Sequence, residues 1–121
     1  RGETFKLQSC YVCKCRFSQL HHFYDRLCPP CAQLNYAKRM QTADLRGMTA
    51  VVTGSRVKIG FHVCLKLLRM GATVIGTTRF PRDMGERFKQ EQGFDEWGHR
   101  LHVVGLDLRD IGAVERFGEV A

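Results

Sequence analysis

From residue 47 onward, short apolar runs alternate with amphipathic stretches. Met48-Thr49-Ala50-Val51-Val52-Thr53 is β-branched, brief and free of polar alternation, which predicts a strand buried on both faces. Ile59 to Met70 places Ile59, Val63, Leu67 and Met70 on one side at helical spacing and stops at Gly71, which predicts a helix. Thr73-Val74-Ile75-Gly76-Thr77-Thr78 predicts a second strand, Asp83 to Gln92 a more polar helix, and Leu101 to Leu106 a third strand. Ile111 to Val120 begins another helix. Between them, residues 94–99 predict a turn, with Trp97 covering a sheet edge or lying in a subunit contact. A βαβαβα order implies an α/β fold whose parallel, doubly wound sheet has right-handed crossovers. The ligand site of such a sheet lies at the carboxyl ends of its strands.

Residues 1–40 follow another logic. Five of the six cysteines fall between Cys10 and Cys31, as Cys10-x2-Cys13, fourteen intervening residues, and Cys28-x2-Cys31. Two such knuckles supply four soft ligands that close a tetrahedron around Zn²⁺. Cys28-Pro29-Pro30-Cys31 runs into good helix formers from Ala32 to Met40, and a knuckle opening a helix resembles treble-clef and RING-like modules. Disulfides are the competing reading, against which stands the lack of a secretory signal; a redox dithiol lacks the preceding strand. Cys15, His21 and His22, with Asp25, offer a second ligand set, but they are too few for a full cross-brace, so one zinc is expected. Its role is to fold a segment too short to build its own core, with Phe5, Tyr11, Phe17, Leu20, Phe23 and Tyr24 packed around it. The expected organisation is a zinc-binding module over residues 1–40, a linker over 41–46 and an α/β domain over 47–121.

Composition narrows the partners. The 121 residues are 44% hydrophobic and 26% charged, ordinary for a globular chain, and no apolar run reaches the length of a membrane helix. The expected setting is the cytoplasm. Opening on Arg1 and stopping at Ala121 within a predicted helix, the chain is expected to be part of a longer protein. Residues 1–46 carry +5 of the net +7. Four thiolates on one Zn²⁺ would lower that to +3, so nucleic acid is not an expected partner.

The turn after the first predicted strand reads Thr53-Gly54-Ser55-Arg56-Val57-Lys58-Ile59-Gly60. With Leu45-Arg46-Gly47 and Ala50-Val51-Val52 before it, this entry resembles the short-chain dehydrogenase/reductase family and its Rossmann-like nucleotide-binding fold. Glycines permit the tight turn and close helix packing, and the helix N-terminus offers amides to a pyrophosphate. The resemblance covers Leu45 to Ala121. It assigns cofactor binding to Thr53, Gly54, Ser55, Arg56, Lys58, Ile59 and Gly60, to Thr78 and Arg79 after the second strand, and to Asp107 and Leu108 after the third. Lys58 stands where the family has its middle glycine, so either the loop detours or the lysine contacts phosphate. NADP is favoured over NAD because Arg79 occupies the place where NAD enzymes set an acid. Asp107 either receives the adenine amino group or caps the next helix, or does both.

The resemblance extends to a branch in which a cysteine-rich module precedes the dehydrogenase domain, carried by Cys13-Lys14-Cys15-Arg16, His21-His22-Phe23-Tyr24-Asp25, Cys28-Pro29 and Val57-Lys58-Ile59-Gly60. It implies hydride transfer between a nicotinamide and a small carbonyl or alcohol substrate. The family's catalytic tyrosine lies far downstream of the loop, whereas Tyr11, Tyr24 and Tyr36 all precede it, so no catalytic residue is assigned. His62 and Cys64 are expected to be partly buried rather than functional. A homo-oligomer, or a protein partner held by the zinc module, completes the expectation. The rival reading is a zinc-dependent, ubiquitin-ligase-like interaction module with a degenerate dehydrogenase scaffold.

Overall fold

The computed structural model of the chain describes residues 2–120, and for Thr4 and Phe5 the backbone alone. Contacts divide it into two compact units, Arg1–Thr42 and Ala43–Ala121.

In the first unit β1 (Glu3–Ser9) pairs antiparallel with β2 (Arg16–Gln19), setting Gln8 opposite Phe17 and Ser9 opposite Arg16. Neither strand was expected; the alternation in Phe5-Lys6-Leu7-Gln8 is the signal for the first. The connecting loop is pinned where the Cys10 amide donates to the Cys15 carbonyl at 2.8 Å and the Lys14 amide to that of Cys10 at 3.0 Å. Helix α1 (Pro29–Arg39) begins three residues before the expected Ala32. Prolines suit its first turn, where an N–H would have no partner inside the helix. Cys10, Phe17, Leu27, Cys28 and Ala32 form the buried core, flanked by Leu20, Tyr24 and Cys31. Tyr11 and Phe23, expected in that core, are exposed instead. Each ring carries a cation, the Lys14 ammonium 5.0 Å from Tyr11 and the Arg39 guanidinium 4.6 Å from Phe23. The side chain of Phe5 lies outside the described residues.

The second unit holds three parallel strands in the order β3 (Thr49–Val52), β4 (Thr73–Thr78), β5 (Leu101–Gly105). Val52 lies beside Gly76, and Thr78 beside Gly105. Helices α2 (Lys58–Arg69), α3 (Pro81–Lys89), the single turn α4 (Phe94–Trp97) and α5 (Ile111–Val120) connect or follow them, with a 3-10 turn at Gly98–Arg100. The core gathers Cys64, Leu65 and Leu68 of α2, Val74 of β4, Met84 and Phe88 of α3, and Ala72 and Trp97.

Three expectations fail here. α2 does not bury the Ile59–Val63 side: Ile59 is 81% exposed and Val63 is exposed as well. Gly60, Cys64 and Leu68 form the inward stripe at i, i+4 and i+8, because Gly60 is pressed against the loop and fixes the rotation of the helix. β3 is only half-buried, with Val51 exposed. Trp97 covers no edge but lies in the core, its ring set edge-on to Phe88 and Phe94 and its Nε1 donating to the Gln92 carbonyl.

Candidate functional site

The first candidate site is the thiol cluster of Arg1–Thr42. The sulfurs of Cys10, Cys13, Cys28 and Cys31 lie within 4.8 Å of one another, the one group among the described residues that can hold a metal ion. A tetrahedral zinc with bonds of about 2.3 Å has sulfur–sulfur edges of about 3.8 Å. The Cys13–Cys28 separation of 3.6 Å is close to that edge, so the residues fit the ion. Backbone geometry builds the cluster. Lys14 takes a left-handed φ of 69°, which folds the first knuckle back, and Cys28 sits in extended backbone immediately before α1.

The local amides already favour thiolates. Burial acts to raise the Cys10 thiol, but the Cys28, Cys13 and Val12 amides outweigh it and bring it down to about 6. The Cys15 amide does most to lower Cys13. Cys15 is pushed up to about 12, chiefly by a hydrogen bond shared with the Cys13 sulfur, and Cys31 to about 12 by one shared with Cys28.

Cys15 stands outside the four-sulfur group, although its sulfur is 3.1 Å from that of Cys13. His21 accepts the Phe23 and Tyr24 amides at Nδ1 and stacks on His22. The second ligand set is therefore not assembled among the described residues.

The second candidate site is a cavity of about 500 Å³ at the carboxyl ends of β3, β4 and β5. Of the residues singled out in the sequence, Gly54, Arg56, Thr78, Arg79, Asp107 and Leu108 line it; Thr53, Ser55, Lys58, Ile59 and Gly60 do not. Ser55 is fully buried and turns inward, its Oγ donating to the Thr77 carbonyl at 3.2 Å. Gly60 acts through packing: a Cβ there would overlap the Gly54 carbonyl oxygen and lie 2.9 Å from its carbon. Gly54 itself has φ +59°, open to glycine without strain.

Lys58 takes a left-handed φ of 56°, a region that favours glycine, while its side chain is exposed. A left-handed lysine is strained by about 1–2 kcal/mol. Lys58→Gly is therefore expected to hold or raise stability, by up to about 1 kcal/mol, and Lys58→Val to lower it by about 1–2 kcal/mol. Urea midpoints of the two variants check this; equal losses in both would show that the turn does not need the left-handed residue.

Sequence reasoning missed Phe80 and Arg109. Phe80 is half-exposed between two guanidinium groups, Arg56 at 4.9 Å and Arg79 at 5.3 Å from its ring centre. Arg56 also donates to Asp83 at 2.9 Å, so a carboxylate remote in sequence does reach the cavity edge. Arg109 clasps Asp107 through its own amide, its Nε and its terminal nitrogen, and with the Arg79 charge holds that carboxyl down at about 2. Asp107 does not cap α5; Asp110 does, accepting the Ala113 amide at 3.1 Å. Of the remaining thought-of groups, Cys64 is fully buried, which drives its thiol up to about 11, and His62 is exposed. No helix among the described residues is long and apolar enough to cross a membrane.

No family model matches the chain. It is similar to the uncharacterized protein R665 of Acanthamoeba polyphaga mimivirus, 36% identical over 104 residues that cover 84% of this chain and 22% of that protein. That stretch is longer than Ala43–Ala121, so the likeness runs into the cysteine-rich unit. Dehydrogenase/reductase SDR family member 13 of Bos taurus is 38% identical over 93 residues, 74% of this chain and 21% of that protein. Among solved structures, the N-domain of a bacterial malonyl-CoA reductase with NADP superposes with a TM-score of 0.53 at 34% identity, covering 64% of this chain and 15% of that one. The chain spans about a fifth of the length of the curated relatives it matches.

Proposed function

We propose, starting from the chain's homology to short-chain dehydrogenases/reductases, that Ala43–Ala121 binds NADP for an oxidoreductase acting on a small carbonyl or alcohol compound. The carrying observation is the cavity at the strand ends, lined by Gly54 and by three arginines, Arg56, Arg79 and Arg109. When bound, NADP supplies or accepts the hydride. Gly54 and the amides opening α2 would hold its pyrophosphate, where helix N-termini favour anions. Arg79, exposed at the end of β4, would hold the 2′-phosphate, and Phe80 would offer a flat face beside it. Asp107 would receive the adenine amino group once Arg109 gives way.

Residues 43–121 contain no tyrosine, and no proton donor is assigned among them. Arg1–Thr42 is read as a module folded around one zinc, supported by the four-sulfur cluster. The likeness to the mimivirus protein, which runs into both units, supports reading the two parts as belonging to one protein.

Arg79→Asp is the test of cofactor choice. A charge-assisted bond of about 1.5–3 kcal/mol to a phosphate gives a ten- to hundredfold preference for NADP. The substitution is expected to reverse it, repelling the phosphate and offering NAD an acceptor for its ribose hydroxyls. Titrating NADPH and NADH into both proteins reads the ratio. An unchanged ratio removes Arg79 from the site.

A further inference from the structure

The thiol that the metal set leaves over has a place of its own. Among the four clustered sulfurs, Cys10 and Cys28 are buried and Cys31 is half-buried; Cys13 alone is exposed. Cys15, which belongs to no ligand group among the described residues, is also exposed, with its sulfur 3.1 Å from that of Cys13. The left-handed Lys14 between them turns both side chains to the same side. The geometry points to Cys13 and Cys15 as an oxidisable pair, with Cys13 the metal ligand that a hydroperoxide reaches and Cys15 the thiol that resolves it. This inference rests on the zinc reading of the cluster.

The chemistry needs only a hydroperoxide, taken here as hydrogen peroxide. The Cys13 sulfur attacks one peroxide oxygen; the O–O bond breaks, an S–O bond forms and hydroxide leaves, so Cys13 becomes a sulfenic acid. The Cys15 thiol then attacks the Cys13 sulfur. An S–S bond forms, and the hydroxyl group leaves with the Cys15 proton as water. Both sulfurs are oxidised by one electron, and the two peroxide oxygens are reduced. Cys10, Cys28 and Cys31 would then be the thiolates remaining to hold a zinc, three in place of four, and its binding would weaken. Cys13–Cys28, at 3.6 Å, is the alternative pairing, but Cys28 is buried and fixed at the start of α1, whereas Cys15 lies in an exposed loop.

The test treats reduced, zinc-loaded protein with one equivalent of hydrogen peroxide. Released zinc is followed with a chromogenic chelator, and disulfides are mapped by mass spectrometry after alkylation. One bond joining Cys13 to Cys15, formed together with zinc release, is expected. Cys15→Ser keeps all four ligands, and its zinc release is expected to slow at least tenfold while Cys13 accumulates as sulfenic or sulfinic acid. A Cys13–Cys28 or Cys28–Cys31 bond, or release from Cys15→Ser at the wild-type rate, overturns the pairing. Protein that purifies under reducing conditions without zinc overturns the metal reading separately, because the disulfide map still decides which thiols pair.

Discussion

Chelation under reducing conditions is expected to unfold Arg1–Thr42 and leave Ala43–Ala121 standing. Among the described residues of the first unit five hydrophobic ones are buried, and two of them, Cys10 and Cys28, are proposed ligands. Phe17, Leu27 and Ala32 together bury too little apolar surface to offset the chain entropy of some forty ordered residues. Zinc in modules of this size contributes about 10–16 kcal/mol of apparent binding free energy, which is also the folding free energy. The second unit has its own core around Phe88, drawn from its own residues. The single tryptophan, Trp97, lies in that core and reports on it alone. Hydrogen exchange should therefore lose protection at Phe17 and Ala32 but keep it at Val74, with Trp97 emission unchanged. Cys10→Ser should do the same without chelator. Retained protection at Phe17 after chelation would show that the unit folds without metal.

Gly60→Ala is expected to be the most damaging single-methyl change in the second unit. The added carbon meets the Gly54 carbonyl and Ser55 Cα, the latter at 3.0 Å, and both are backbone that cannot turn aside. α2 must lift from the loop, and Cys64 and Leu68 lift with it. Overpacking of this kind costs about 3 kcal/mol, a fall in Tm of roughly 10–20 °C for a domain of this size. Gly85→Ala is the control: nothing lies within 4 Å of its added Cβ, and alanine in a helix interior stabilises by about 0.5–1 kcal/mol. Thermal unfolding followed through Trp97 separates the two. Equal melting temperatures would mean that the loop and helix are not pressed together as described.

The same glycine shows what the sequence could and could not disclose. The alternation of strands and helices was legible because each run has its own period, and β4 and α5 fall where that period places them. The inward face of α2 was not. Ile59, Val63 and Leu67 make the more apolar stripe, yet a contact from the preceding loop sets the rotation, and no window confined to the helix contains it. The clustering of Cys10, Cys13, Cys28 and Cys31 was legible from spacing alone, since two knuckles need little else. The role of Cys15 was hidden, because only the left-handed Lys14 brings its sulfur against Cys13. Arg56 was expected to face a ligand; its pairing with Asp83 depends on where α3 begins, which the Pro81 start shifted from the expected Asp83.

In the second unit, order in space repeats order along the chain: β3 pairs with β4, and β4 with β5. Each strand after β3 therefore pairs with the one made just before it. The longest connection, residues 79–100, holds α3, the single turn α4 and the 3-10 turn at Gly98–Arg100, a short closure for a parallel sheet. Arg1–Thr42, which emerges first, closes through cysteines spaced within Cys10–Cys31. Both parts can thus take shape during synthesis, in chain order.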